Sequence, residues 1–489
     1  MLQKSGSESG ARAGDDNRKS IGWRALPFLA LAQFMVVLDG TIVNLALPRL
    51  QIEMGINDST RAWVVTAYAL VFGAFLLLGG RISDFWGRKR TFITSSAGFA
   101  VASLIGGLAQ QPWELIGARA LQGIFAALLA PAALALLAVA FPGGKDRGTA
   151  FAIFGSISGV GAAAGVLLGG FLTEFVSWRW CFFVNVPIAV IALIGVWTLV
   201  GESKAGGSTK YDWPGVVLAA LGLGSLVYGF ANAEHGWDAI ESWGFIAAGV
   251  ALLVLFVAVE RRVKNPLLPL QVATERNRAA AFLASFLAGA VLIGGILFIN
   301  FYLQIVLGFA PFAAGIASLP MTLVLIITAG LVAKNLAKLG AKIPSALGPV
   351  FMAAAMLWLT QVTPDGSYTV NLLPALILMG VGLGMVFVPM QNLALFGVDK
   401  DHAGVASALV NASQQIGGSL GIALFSTIAA AATAAAGGGT LAALTSGYSL
   451  VFLWAAAVAI LIVPIALLLI RIDRRTFSGT GETQHIHLG

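Results

Sequence analysis

The chain has 489 residues, 58% of them hydrophobic and 10% charged, with a formal net charge of +7. Soluble domains carry about 25% charged and about 45–50% apolar residues, and a mean hydropathy of +0.89 cannot come from one apolar anchor. A soluble enzyme, a nucleic-acid-binding module and a disordered scaffold are therefore excluded. The composition is that of a polytopic membrane protein, whose excess Lys and Arg hold loops on the cytoplasmic side.

In chain order, residues 1–24 are polar and of mixed charge. They hold no apolar core ending in a small-residue cleavage site, so the first span is expected to be retained as a helix. Continuous apolar runs follow near 27–47, 61–79, 92–110, 115–139, 149–172 and 181–200. A pair lies near 214–233 and 243–260, and a last set near 279–304, 312–333, 344–362, 371–396, 404–434 and 448–470. A spanning helix needs about 20 mostly apolar residues, and these runs lack the alternation of outer-membrane barrel strands. The expected fold is an all-α polytopic bundle of 14 transmembrane helices with both termini cytoplasmic. In that orientation all but four of the 29 Lys and Arg fall on the inner side; Arg49, Arg61 and Arg179 lie outside, and Arg119 lies within a span. One helix more or fewer would destroy this asymmetry.

The expected organisation is a cytoplasmic tail (1–24), a six-helix bundle (25–200), an accessory helix pair (201–260), a basic cytoplasmic linker (261–278), a second six-helix bundle (279–470) and a cytoplasmic tail (471–489). Residues 330–342 have a Gly-Ala-Lys ending like the Gly-Arg-Lys ending of the loop between spans two and three, as parallel repeats would require. Cys181 is the only cysteine, so no intramolecular disulfide forms.

Residues 80–90 read Gly-Arg-Ile-Ser-Asp-Phe-Trp-Gly-Arg-Lys-Arg. So short a turn between helices needs glycine, and Asp84 can pair with the cations that follow or with a helix N-terminus. The order of Gly80, Asp84, Gly87, Arg88 and Arg90 resembles the signature loop of the major facilitator superfamily. Other segments resemble its fourteen-span drug:proton antiporter branch, in register. They are Asp39 to Pro48 in span one, Arg119 to Gly123 in span four, and Trp178, Arg179, Trp180, Asn185 and Pro187 at the turn into span six. Gln304, Gly308, Pro311, Gly315 and Pro320 resemble spans nine and ten, and Asn411 to Gly418 resembles span thirteen. The resemblance implies two six-helix bundles around a central cavity, two extra central helices, and a conformational latch at residues 80–90. In span five, Gly161, Gly165, Gly169 and Gly170 resemble the antiporter motif, but Val166 stands where that motif has proline. The small-residue face is kept; the kink that proline favours is not assured, which weakens the inference of antiport against uniport.

Asp39 falls mid-span in helix one and Arg119 in the first half of helix four, while Glu114 and Glu174 belong near the outer interface. A charge at the bilayer centre costs about 2.5–3.5 kcal/mol on insertion scales and is functional by default. Burial and a neighbouring cation act in opposite directions on a carboxyl proton. Asp39 is therefore the expected proton-coupling residue, with Arg119 tuning it; the alternative is a static buried ion pair. Spans nine to fourteen offer amides instead of charges, with Phe298, Phe301, Tyr302 and Phe387 beside some of them. The expected cavity residues are Asn44, Gln122, Asn300, Gln304, Gln391, Asn411 and Gln414, an amide and aromatic set suited to an amphipathic ligand. His235, His402, His485 and His487 fall in loops or the tail, so neither a metal nor a cofactor is expected. Gly437–Gly439 lacks the Lys-Ser or Lys-Thr of a phosphate-binding loop, and no cluster of catalytic groups shares one depth.

What the residues and the resemblance together imply is a monomeric, multi-pass protein of a bacterial inner (plasma) membrane. It would export hydrophobic or amphipathic compounds such as drugs, dyes or antibiotics by proton antiport. The alternatives are export or uniport of one endogenous metabolite without proton coupling, and a membrane sensor that binds ligand without transporting it.

Overall fold

The computed structural model describes residues 5–141, 144–204, 212–232, 240–263, 266–268, 270–398 and 403–471. The four histidines lie outside these ranges. Without water in the bilayer core, backbone groups must be satisfied within each segment, and among the described residues 14 helices are long and apolar enough to cross a membrane. The first six are α1 (Gly22–Met54), α2 (Thr60–Trp86), α3 (Arg88–Leu108), α4 (Pro112–Ala140), α5 (Thr149–Phe175) and α6 (Trp180–Leu199). The accessory pair is α7 (Trp213–Ala231) and α8 (Ile240–Glu260). Then follow α9 (Arg276–Val306), α10 (Pro311–Leu336), α11 (Lys342–Leu359), α12 (Tyr368–Leu395), α13 (Val405–Ala435) and α14 (Leu441–Leu469).

Several helices start on local side-chain signals. Asn57 accepts the Thr60 amide at 2.8 Å, Glu114 accepts the Gln110 and Gln111 amides at 2.8 and 3.1 Å, and Thr440 accepts the Ala443 amide at 3.1 Å. Each satisfies donors that a helix leaves open at its first turn. Glu275 does the same for Asn277 and Arg278 at 3.2 and 3.0 Å. The linker consequently ends earlier than its polar sequence suggests: α9 starts at Arg276, after a helical turn over Leu270–Thr274. Helix α9 is also irregular, with π-helical turns over Ala290–Gly294 and Tyr302–Val306 on either side of an α-helical centre.

The packing pattern of α1–α6 recurs in α9–α14. Helix α1 packs on α5 and α6, α2 and α3 pack on α4, and α3 packs on α6. In the second set, α9 packs on α13 and α14, α10 and α11 pack on α12, and α11 packs on α14. That is the arrangement of parallel repeats. Two seams join the sets, α2 against α13 and α5 against α10. Small residues make the close approaches, since lipid offers no hydrophobic drive between helices. A Cβ on Gly348 of α11 would stand 2.8 Å from the Gly382 carbonyl of α12.

The accessory pair associates by the same device. A Cβ on Gly249 of α8 would meet the Gly222 carbonyl of α7 at 2.8 Å. Helix α7 lies along the α2–α13 seam, where Leu223 and Val227 pack with Leu70, Ala74 and Ala423. Thr427 of α13 donates its hydroxyl to the Phe230 carbonyl at 2.7 Å. Helix α8 stands outside α7, with Val250, Val254 and Leu255 exposed. Overpacking this contact with Gly249→Leu is expected to cost about 1–3 kcal/mol. Thermal unfolding in detergent should show the loss, and an unchanged melting temperature would contradict the close α7–α8 approach.

Candidate functional site

Asp39 lies midway along α1 and is wholly buried. A carboxylate withdrawn from water must find a cation and hydrogen-bond donors in its place. Arg119 of α4, itself buried, donates from Nη1 to Asp39 Oδ2 at 2.6 Å. Gln122, one turn along, donates from Nε2 to Oδ1 at 3.0 Å, and Asn185 of α6 donates from Nδ2 to the same oxygen at 2.8 Å. The guanidinium has further partners: Nε donates to the Val64 carbonyl of α2 at 3.0 Å, and Nη1 to Gln122 Oε1 at 2.9 Å. Its Cζ stands 4.2 Å from the centre of the Tyr68 ring, a cation–π contact. Gln122 Nε2 also donates to Ser103 Oγ of α3 at 2.8 Å, and the Tyr68 hydroxyl donates to the Val36 carbonyl at 3.3 Å. Five helices of the first set therefore meet at one carboxylate.

Asp39 and Arg119 are thus brought into contact, and Gln122, expected in the cavity, is drawn into their network. Asn185, Tyr68 and Ser103 were not expected there. Asn185 carried a signal, as a buried amide beside Pro187 at the start of an apolar run, but that pattern reads equally as a turn. Nothing marks Ser103 or Tyr68 within their runs.

The glycines of α5 lie against the same stretch of α1. A Cβ on Gly161 would stand 3.2 Å from the Phe34 carbonyl, and one on Gly165 would stand 2.9 Å from the Leu38 carbonyl and collide with Thr41 Oγ1. One on Gly169 would collide with the Ile42 carbonyl. The stripe lets α5 run along the carbonyls of residues 34, 38 and 42, flanking Asp39. Gly170 faces the other way, where a Cβ would lie 2.6 Å from the Pro311 carbonyl of α10. Helix α5 runs unbroken through Val166, whose carbonyl is met at 2.8 Å by a Cβ placed on Gly315. The two sets also close on each other at their outer ends. Gln304 Nε2 of α9 donates to the Leu45 carbonyl at 3.2 Å, and the Phe312 amide of α10 donates to Glu174 at 3.0 Å.

At the inner side, residues 80–90 form a compact turn. Gly87 has φ +126°, a conformation that favours glycine. Arg88 Nη2 pairs with Asp84 Oδ1 at 2.9 Å. Glu202, just past α6, accepts the amides of Lys89 and Arg90 at 3.1 Å each and lies 3.7 Å from Arg90 Nε. It thereby places an anion at the N-terminus of α3, where the helix dipole favours one. The Arg88 amide donates to the Ser203 carbonyl at 3.0 Å, and Lys89 Nζ to the Trp197 carbonyl at 2.7 Å. Arg81 donates to the Pro266 carbonyl of the segment beyond α8. Gly80 faces Pro131 of α4, with a Cβ at 3.9 Å. Glu202 was not expected, because a lone acid in a cytoplasmic loop has no sequence signature.

The remaining amides do not converge. Asn44 is half-buried in the outer half of α1. Asn300 is buried with Oδ1 unpartnered among the described residues, and Gln304 is taken up by the Leu45 carbonyl. Gln391 is half-buried near the inner end of α12, and Gln414 is half-buried with its backbone against Gly289. Asn411 is exposed and donates to the Ser407 carbonyl of its own helix at 3.1 Å. They form an outer and an inner group instead of one ring.

The site is that of a polytopic transporter: a buried ion pair in one half, a compact charged turn at the inner side, and two repeats that close at their outer ends. The sequence profile of the Major Facilitator Superfamily matches residues 29–422. A puromycin resistance protein of Streptomyces alboniger is 45% identical over 424 residues, covering 86% of this chain and 84% of that protein. A cephamycin export protein of Amycolatopsis lactamdurans is 36% identical over 423 residues, covering 86% and 87%. Among solved structures, a bacterial homologue of the human lysosomal transporter Spinster superposes with a TM-score of 0.64 at 17% identity, covering 94% of this chain and 97% of that one, a likeness of fold. The chain belongs to the major facilitator superfamily and is a multi-pass protein of the plasma membrane.

Removing either member of a buried pair leaves the other uncompensated, at about 3–5 kcal/mol. Asp39→Leu and Arg119→Leu should each lower the melting temperature strongly, and the double variant should lose less than the sum. Additive losses in that double-mutant cycle would contradict the pairing. Glu202→Ala removes a cap worth about 1 kcal/mol, so amide exchange at Lys89 and Arg90 should rise several-fold and elsewhere stay level.

Proposed function

We propose that the protein exports hydrophobic or amphipathic organic compounds, antibiotics among them, by proton antiport through alternating access. The observation that carries this reading is the Asp39–Arg119 pair, enclosed between helices in a structure whose repeats meet at their outer ends. The identities with proteins of antibiotic resistance and export support the substrate class.

In the proposed cycle Asp39 exchanges its proton only when the network opens to water. Neutralising Asp39 leaves the buried Arg119 charge unpaired, so proton uptake is tied to the opening that admits water. With Asp39 protonated, Arg119 keeps the Val64 carbonyl, Gln122 Oε1 and the Tyr68 ring. A protonated Asp39 needs an acceptor for its O–H, and Asn185 supplies one: its Oδ1 is buried and unpartnered among the described residues, and an amide flip turns it toward Asp39. Asn185 is thus a positioning residue for the proton. Substrate would occupy the space between the repeats, with Asn44, Asn300, Gln304, Gln391, Asn411 and Gln414 as candidate contacts at two depths. Residues Gly80, Asp84, Gly87, Arg88 and Arg90 would serve as the latch, held by Glu202. A second reading, facilitated export without protons, is favoured by one observation: Val166 where the antiporter motif has proline.

Liposomes holding a pH-sensitive dye, with an imposed pH gradient and a panel of lipophilic cations and neutral drugs, decide between them. Substrate-dependent proton flux is expected in the wild type and should vanish in Asp39→Asn at normal expression. Asn185→Leu should retain substrate binding while slowing flux and shifting its pH profile. Substrate movement without proton flux would establish the facilitator reading.

A further inference from the structure

The inner end of the accessory pair holds two acids that the transport cycle does not use. Asp212 precedes α7 and Glu260 ends α8, and both are buried, at 5% and 3% exposure. Each has one oxygen satisfied by a backbone amide: Gly215 donates to Asp212 Oδ1 at 2.9 Å, and Leu268 to Glu260 Oε2 at 2.9 Å. The other two oxygens, Asp212 Oδ2 and Glu260 Oε1, have no further partner among the described residues. They converge on one point, since a Cβ on Gly215 would stand 2.6 Å from each. The two carboxyls thus face each other, their free oxygens no further apart than twice that distance. Two facing carboxylates cannot both remain ionised in such a place, and a hydrogen bond between them requires one proton to act as donor.

We propose that Asp212 and Glu260 share a single proton and form a clasp that fastens the accessory pair to the chain segment leading into the second repeat. The segment so fastened is 266–268. Leu267 and Leu268 pack with Leu78 and Ile82 of α2, Val216 and Ala219 of α7 and Phe256 of α8, and the Pro266 carbonyl accepts from Arg81, at the head of the latch turn. Of the charged groups on these elements, Arg81 and Asp84 lie at the inner end of α2, Arg81 bonded to the Pro266 carbonyl and Asp84 to Arg88, while Arg61 lies at its outer end. Arg261 and Arg262 follow Glu260 and are exposed. Pro266, Leu267 and Leu268 bring no charge. Loss of the shared proton sets two carboxylates face to face, pushing Glu260 from Asp212 and loosening the strap that holds α2.

Opened, both acids are hydrated and ionised near neutral pH; closed, the pair retains one proton. Opening therefore releases one proton, and its equilibrium constant should rise about tenfold per pH unit. Amide exchange of full-length protein in detergent, corrected for the intrinsic pH dependence, reads this directly at Leu268, whose N–H bonds Glu260. Between about pH 5 and 7 its protection is expected to fall by more than tenfold, as one released proton requires, and to level off above, while α3 and α4 amides hold steady. Glu260→Gln and Asp212→Asn each provide an amide donor at every pH and should abolish the slope. A wild-type slope near zero overturns the proposal, as does a slope that persists in whichever variant folds. Loss of the slope on adding millimolar Mg2+ or Ca2+ also overturns it, by assigning the oxygens to a cation. None of these outcomes depends on substrate or proton transport.

Discussion

Burying the Asp39 carboxylate is the constraint from which the first repeat is built. An ion withdrawn from water carries a penalty of several kcal/mol even after relaxation, and it is tolerated only where charge and donors are brought to it. Arg119 brings the charge, Gln122 and Asn185 bring the donors, and Val64, Ser103 and Tyr68 hold those groups in turn. The same demand explains the backbone. Helix α5 can lie along the residues flanking Asp39 only because Gly161, Gly165 and Gly169 add no side chain there. The second repeat has the same helix-on-helix pattern, but its spans carry amides in place of an ion pair. Architecture is shared between the halves; electrostatics is not.

Helix α2 ties the buried network to the inner surface. Its outer part gives Arg119 a carbonyl acceptor and an aromatic face, and its inner end carries Arg81, Asp84 and the Gly87 turn. Between these points it packs on α13 of the other repeat and on α7. A tilt of this one helix would therefore disturb the ion pair, the charged inner turn and the seam together.

The fold was legible in the sequence because lipid imposes a simple code: apolar runs of spanning length, with cations sorted to one side. The runs located every span, although α1, α2 and α14 extend several residues beyond theirs, since capped and polar helix ends lie outside the apolar core. Asp39 and Arg119 stood out because charges in such runs are rare. Their neutral partners did not, for a serine or tyrosine in an apolar span costs little and announces nothing. Gln122 was legible as a polar residue but not by its direction, because pattern alone does not distinguish a cavity wall from an interhelical contact. Glu202, Asp212 and Glu260 sit at span ends, where acids are commonplace. Only the chain's return to those points in space sets Glu202 on α3 and the other two on each other.

The place of α7 along the α2–α13 seam also breaks the symmetry of the protein's perimeter. Two seams separate the repeats, and each would otherwise face the bilayer alike. One is walled by the accessory pair, so acyl chains there meet α8 instead of the repeat boundary. At the other, Phe171 of α5 and Leu323 and Ile327 of α10 remain exposed. A molecule dissolved in the membrane therefore meets two unlike flanks.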